Sequence, residues 1–202
     1  FFFSNQSSGI NYYPGEALLA LMYLYEHDMN DVYLDAVEMA FPYYLEYWKN
    51  NPNEAFVSWQ TQAYYMLYKF KPDAQIAKYI FDMNDFMIKK HSFGLGCSWI
   101  YFYRGAVAAV YIEGMNRAYQ LAKDTGDLKR AECYQNFIKK GSEYILKLQF
   151  TQENNFGLKD FDNDAIGGLL ENKNSGSMRV DRNQHAVMAL IKAYELGILR
   201  DR

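Results

Sequence analysis

Charge is scarce in this chain of 202 residues: 21 Lys and Arg stand against 24 Asp and Glu, a net charge of −3. That balance argues against disorder and lacks the basic footprint of a nucleic-acid binder, so no nucleic-acid partner is expected. Cysteine is scarcer still, and Cys97 and Cys133 are too few and too irregularly placed for a disulfide framework or a zinc site. No apolar run approaches the roughly 20 residues that span a bilayer, and no charged leader with a cleavage site is visible. The expectation is therefore a soluble chain with no membrane partner, its compartment unassigned. Strand-like alternation of useful length is missing, as is a Gly-x-Ser-x-Gly elbow for nucleophilic catalysis. Gly94-Leu95-Gly96 lacks the preceding strand that a nucleotide-binding loop needs. The opening Phe1-Phe2-Phe3-Ser4 carries no Met, which reads as a processed product, a fragment or a sequence without its beginning.

Aromatic residues are abundant instead: 19 Tyr, 14 Phe and 3 Trp make up 18% of the chain. Tyrosine joins an apolar body to a polar tip, which suits the wall of a wet cavity as well as the rim of a core. The same residues mark a repeat. Leu24-Tyr25-Glu26, Leu67-Tyr68-Lys69, Ala118-Tyr119-Gln120-Leu121 and Ala193-Tyr194-Glu195-Leu196 occupy equivalent places in four apolar-striped segments. A recurring unit of roughly 40 to 50 residues implies stacked helix pairs, because one hairpin alone cannot bury its apolar face.

Helical spacing supports this reading. Tyr13-Pro14-Gly15-Glu16 opens a first helix with Leu18, Leu21, Met22 and Tyr25 on one face. Asn30 and Asp31 can cap a second helix that bends at Pro42 and runs to about Lys49. A third carries Ala63, Met66, Leu67 and Phe70, and a fourth, after Pro72-Asp73, carries Ile76, Tyr79, Ile80 and Met83. His91 to about Gly105 reads as a loop, followed by helices over about Ala106 to Lys123 and Asp127 to Gln149. A long stretch from Gln152 to Met178 precedes the last helix, with Val187, Leu190, Ile191 and Tyr194 in register. The expectation is a single all-helical domain over residues 1–202.

If hairpins stack around a centre, the odd-numbered helices are inner ones and their N-termini converge on one polar rim. The residues at those starts are Glu16, then Trp59, Gln60 and Gln62, then Glu113, then Arg182, Gln184 and His185. Glu16 and Glu113 can serve as acid or base, or simply be helix-start acids that favour the dipole. Arg179-Val180-Asp181-Arg182-Asn183-Gln184-His185 gathers three ionisable types directly after the long loop and can orient a substrate or cap the helix. Trp59, Trp99, Tyr101 and Tyr103 offer flat rings for the C–H faces of sugars, core packing being the alternative. Asp160, Asp162, Asp164 and Glu171 have the oxygen spacing of a calcium loop, but Ala165 stands where the sharp turn needs glycine; no cofactor is expected otherwise.

Pro14-Gly15-Glu16-Ala17-Leu18-Leu19-Ala20-Leu21, Trp59-Gln60-Thr61-Gln62-Ala63, Tyr111-Ile112-Glu113-Gly114 and Arg179-Val180-Asp181 with Gln184-His185 resemble inner-helix openings of the six-hairpin glycosidase-like superfamily. The resemblance runs from about Tyr12 onward and implies part of an (α/α) toroid, seven helices of about twelve, with a glycan site in the funnel at the inner-helix N-termini. It implies a hydrolase, lyase or epimerase type of activity, with Glu113 or Glu16 as acid or base and His185 and Arg179 orienting the substrate. Trp59, Gln60, Asp181, Gln184, Trp99 and Tyr103 would bind the carbohydrate. The alternative is a helical-repeat module that binds a protein or peptide and has no catalytic activity.

Overall fold

The computed structural model describes residues 9–157, 163–173 and 176–200. Seven α-helices account for most of them: α1 (Tyr13–Asp28), α2 (Asp31–Asn50), α3 (Glu54–Phe70), α4 (Ala74–His91), α5 (Ala108–Asp124), α6 (Leu128–Leu146) and α7 (Val180–Glu195). Among the described residues no strand forms beyond an isolated antiparallel bridge between Gln149 and Leu169. The third helix begins at Glu54, ahead of the Trp59 opening, because Asn53 accepts a 2.8 Å hydrogen bond from Ala55 N–H and caps it there. The seventh begins at Val180, so the Arg179–His185 cluster occupies its first two turns.

The odd-numbered helices form a row in which α1 packs on α3, α3 on α5 and α5 on α7, while α2, α4 and α6 back the row as hairpin partners. One buried apolar cluster draws residues from all seven helices. Close approach within the row depends on missing side chains. A Cβ on Gly15 would lie 2.5 Å from Trp59 Cβ, and one on Gly114 would lie 2.6 Å from Ser58 Cα. Ser58 Oγ donates to the Val110 carbonyl at 2.7 Å, and Asn116 Nδ2 donates to the Ala189 carbonyl at 3.0 Å, which ties α3, α5 and α7 together.

The repeat tyrosines set a common register for the row. Ala20, Ala63, Gly114 and Ala189 are equivalent and small; the last three are buried, whereas Ala20 is exposed. Tyr13, Ala17 and Leu24 extend that exposed stripe on α1. The opposite face behaves in the opposite order. Met22, Tyr65 and Asn116 are buried, but their equivalent on α7, Ile191, is 52% exposed, with Met188 and Tyr194 beside it. The two end helices of the row thus show the faces that the middle ones bury.

Two features stabilise the segments between helices. Cys97 and Cys133 form a disulfide, which joins the 3₁₀ turn at Cys97–Trp99 to α6; one bridge thus replaces the framework that two cysteines were too few to build. Around the Gln149–Leu169 bridge, Phe150 N–H donates to Gly168 O and Leu170 N–H to Leu148 O, so part of the long stretch before α7 is folded. Asn183 on α7 clamps it: its Oδ1 accepts from Leu169 N–H at 2.7 Å and its Nδ2 donates to Leu169 O at 3.2 Å.

Candidate functional site

Side-chain caps are distributed unevenly. Asn30, Asn53, Asp73 and Asp127 cap α2, α3, α4 and α6, whereas α1, α5 and α7 start without a side-chain cap. Residues at the three uncapped starts line one cavity. That cavity, of about 420 Å³, is lined from all four row helices. Glu16, Trp59, Val110 and His185 line it from equivalent positions, each nine residues before its repeat tyrosine. Arg179, Asp181, Arg182 and Tyr111 complete the polar part of the wall.

His185 is the best-organised group there. Its Nδ1 lies 2.9 Å from Glu113 Oε2, and the edge of its ring meets Trp59 at a centroid distance of 5.2 Å. Glu113 does not line the cavity; it sits behind the imidazole, its side chain 11% exposed. A carboxylate on Nδ1 fixes the ring's orientation and leaves Nε2 as the nitrogen presented to a ligand. Glu16, by contrast, is exposed at the rim.

The arginines divide their roles. Arg179 donates through Nε and Nη2 to both oxygens of Asp181, at 3.0 and 2.9 Å, so its guanidinium is already engaged. That pairing holds the Asp181 carboxyl below its usual range and raises Arg179. Arg182 is less committed: its buried Nε has no hydrogen-bond partner and stands 3.9 Å from Asp181 Oδ2.

A second cavity, of about 600 Å³, adjoins the first and shares Tyr12, Ala55, Val107, Tyr111 and Arg182 with it. Its anchor is Glu54, at the first position of α3, a residue that resembles an ordinary helix-start acid in sequence. Glu54 Oε2 accepts from Arg104 at 2.6 Å, and its Oε1 lies 3.5 Å from Nε2 of His91, which is buried. Tyr111 lines the same cavity as Arg104, and burial raises its pKa. Burial holds His91 below its usual pKa, and its Nδ1 is 3.1 Å from the Tyr101 carbonyl.

The remaining candidates lie apart from the His185 cavity. Gln60 is buried between α3 and α4, where its Oε1 accepts from the Tyr79 hydroxyl at 3.4 Å; one residue past Trp59 turns it about 100° around the helix. Gln184 is exposed on α7, Trp99 is exposed in the 3₁₀ turn, and Tyr103 is half exposed beside Arg104. Of the acidic loop set, Asp160 and Asp162 lie outside the described residues. Glu171 accepts from Ser177 at 3.1 Å and lies 3.8 Å from Arg179. Among the described residues no group of three or more His, Cys, Asp or Glu side chains could hold a metal ion, and no helix is long and apolar enough to cross a membrane.

No protein-family model, curated protein or solved structure matches this chain.

Proposed function

We propose that this chain is a carbohydrate-active helical domain whose ligand enters the cavity at the first turns of α1, α3, α5 and α7. The observation that carries the reading is the His185–Glu113 pair, at 2.9 Å, beside Trp59 in a cavity rimmed by Glu16. The toroid is the matching architectural proposal. Its support is the row of inner helices with first turns around one cavity and the apolar stripes on α1 and α7, which neighbouring inner helices would bury. In this reading His185 exchanges a proton with the substrate through Nε2, Glu113 positions it, Glu16 is the carboxylate partner at the rim, and Trp59 stacks against a sugar. Arg182 takes over the substrate contact first assigned to Arg179, whose charge is spent on Asp181.

The test is a glycan-binding and glycoside-turnover panel with the intact chain beside its His185→Ala, Glu16→Gln and Glu113→Gln variants. Removing a group that transfers the proton lowers kcat by about 10² to 10⁴-fold. Activity unchanged in all three variants would sink the site assignment.

A second reading has its own support in the exposed Met188, Ile191 and Tyr194 of α7 and Leu24 of α1. These faces suit a helical-repeat interaction module without catalysis, and absence of any glycan binding would favour it.

A further inference from the structure

The stretch between α4 and α5 places an aromatic strip beside the second cavity. Phe93, Tyr101 and Tyr103 are 66%, 58% and 50% exposed. Their planes are nearly parallel: Tyr101 and Tyr103 differ by 16° at 6.1 Å between centroids, and Phe93 and Tyr103 by 21° at 6.4 Å. At such spacings near-parallel rings are offset and not face to face, so parts of their faces stay open to a ligand. Single exposed aromatics are ordinary, but a contiguous patch on a rigid support marks a binding surface.

The support here is rigid. Tyr101 N–H donates to the His91 carbonyl at 2.8 Å while His91 Nδ1 meets the Tyr101 carbonyl, and the Cys97–Cys133 disulfide pins the same stretch to α6. Phe93 adopts a left-handed backbone (φ 51°), an uncommon conformation for a bulky residue, and its ring stays in solvent. Arg104 links strip and cavity: its guanidinium lies 5.6 Å from the Tyr103 ring centroid and donates to Glu54. The Glu54 side chain is itself 11% exposed and lines the second cavity, which shares Tyr111 and Arg182 with the lining of the His185 cavity.

We infer that the two cavities and the strip centred on Tyr103, with Tyr101 and Phe93 each beside it, form one extended binding track for a linear oligosaccharide of several pyranose units, with Glu54 and Arg104 holding the hydroxyls of a unit next to the one at His185. This inference rests on the carbohydrate reading and adds the length of the ligand to it. The strip takes the apolar C–H faces of successive rings, and the Glu54–Arg104 pair supplies an acceptor and a donor already fixed in place, so little ordering cost remains at binding. A small glycoside would occupy the His185 cavity alone and leave the strip empty.

The experiment is titration calorimetry with size-fractionated oligosaccharides, from one to six units, prepared from the glycan that the panel shows to bind. It compares the intact chain with Tyr103→Ala, Phe93→Ala and Tyr101→Ala, surface changes that leave the core untouched. Affinity should rise with chain length, and each substitution should weaken the longest oligomer about tenfold, the size of one aromatic contact, while leaving the monosaccharide unchanged. Affinity independent of length, with the three variants indistinguishable from the parent, overturns the extended track and leaves the His185 cavity standing. Failure of the parent to bind any glycan overturns both.

Discussion

Gly114→Ala sets a helix-propensity gain against a steric loss, and the structure decides the sign. Alanine is favoured over glycine inside a helix by about 1 kcal/mol. The new Cβ, however, would lie 2.6 Å from Ser58 Cα and 2.9 Å from Ser58 Oγ. Carbon atoms rest at about 3.5 to 4.0 Å, so α3 and α5 must part by about 1 Å at this crossing. The nearest obstacle is backbone, which cannot rotate aside, so the cost belongs at the upper end of the overpacking range, about 3 kcal/mol. The expected net effect is a loss of about 2 kcal/mol in urea unfolding, with the Ser58–Val110 hydrogen bond strained as well. Ser58→Ala should rescue little, because Cα and Cβ remain. Gly141→Ala is the contrast: its Cβ would meet only side-chain atoms, Ile112 Cγ1 at 2.7 Å and Cδ1 at 2.8 Å, and Ile112→Ala, which removes both, should recover part of the steric loss. A Gly114→Ala chain more stable than the parent by about 1 kcal/mol would show that propensity wins and that the α3–α5 crossing is not tight.

Three further outcomes are expected. Burial holds His91 below the ordinary histidine pKa of about 6.5, so the unfolded chain binds its proton first and stability falls as pH drops below about 6.5; His91→Gln should flatten that slope in unfolding curves between about pH 7.5 and 5. Reducing the Cys97–Cys133 bridge, whose ends are 36 residues apart, should cost about 4 kcal/mol on the chain-entropy model, and a melting temperature unchanged by reductant would refute this. Asn183→Ala frees the Leu169 backbone from α7 and should lower stability by about 1 to 3 kcal/mol, with faster amide exchange at Leu169 as the local readout.

Part of the candidate site was legible in the chain. Glu16 and His185 could be found because each lies near the start of a row helix in the register of its repeat tyrosine, and the register carries Trp59 with them. Gln60 and Gln184 stand next in sequence to cavity residues, but a step of one residue turns a side chain about 100° away, which local spacing alone does not resolve. Glu54 and Arg104 escaped notice because they lie 50 residues apart and meet across the fold, the one disguised as a helix-start acid and the other in a loop. Glu113 was marked as a reacting carboxylate, whereas its place behind His185 suits a positioning role.

Local sequence determined the helices, since apolar periodicity and the caps at Asn30, Asn53, Asp73 and Asp127 act within a turn or two of chain. It also determined the repeat, and through it the alternation of row helices and hairpin partners. Tertiary structure alone decided which faces are covered and which charges are already paired. Arg179 is spent on Asp181 while Arg182 keeps an unpartnered Nε, and Ala20 is exposed where its equivalents are buried. Burial and pairing depend on what approaches from distant parts of the chain, and two identical local patterns at the middle and the end of a row meet different neighbours.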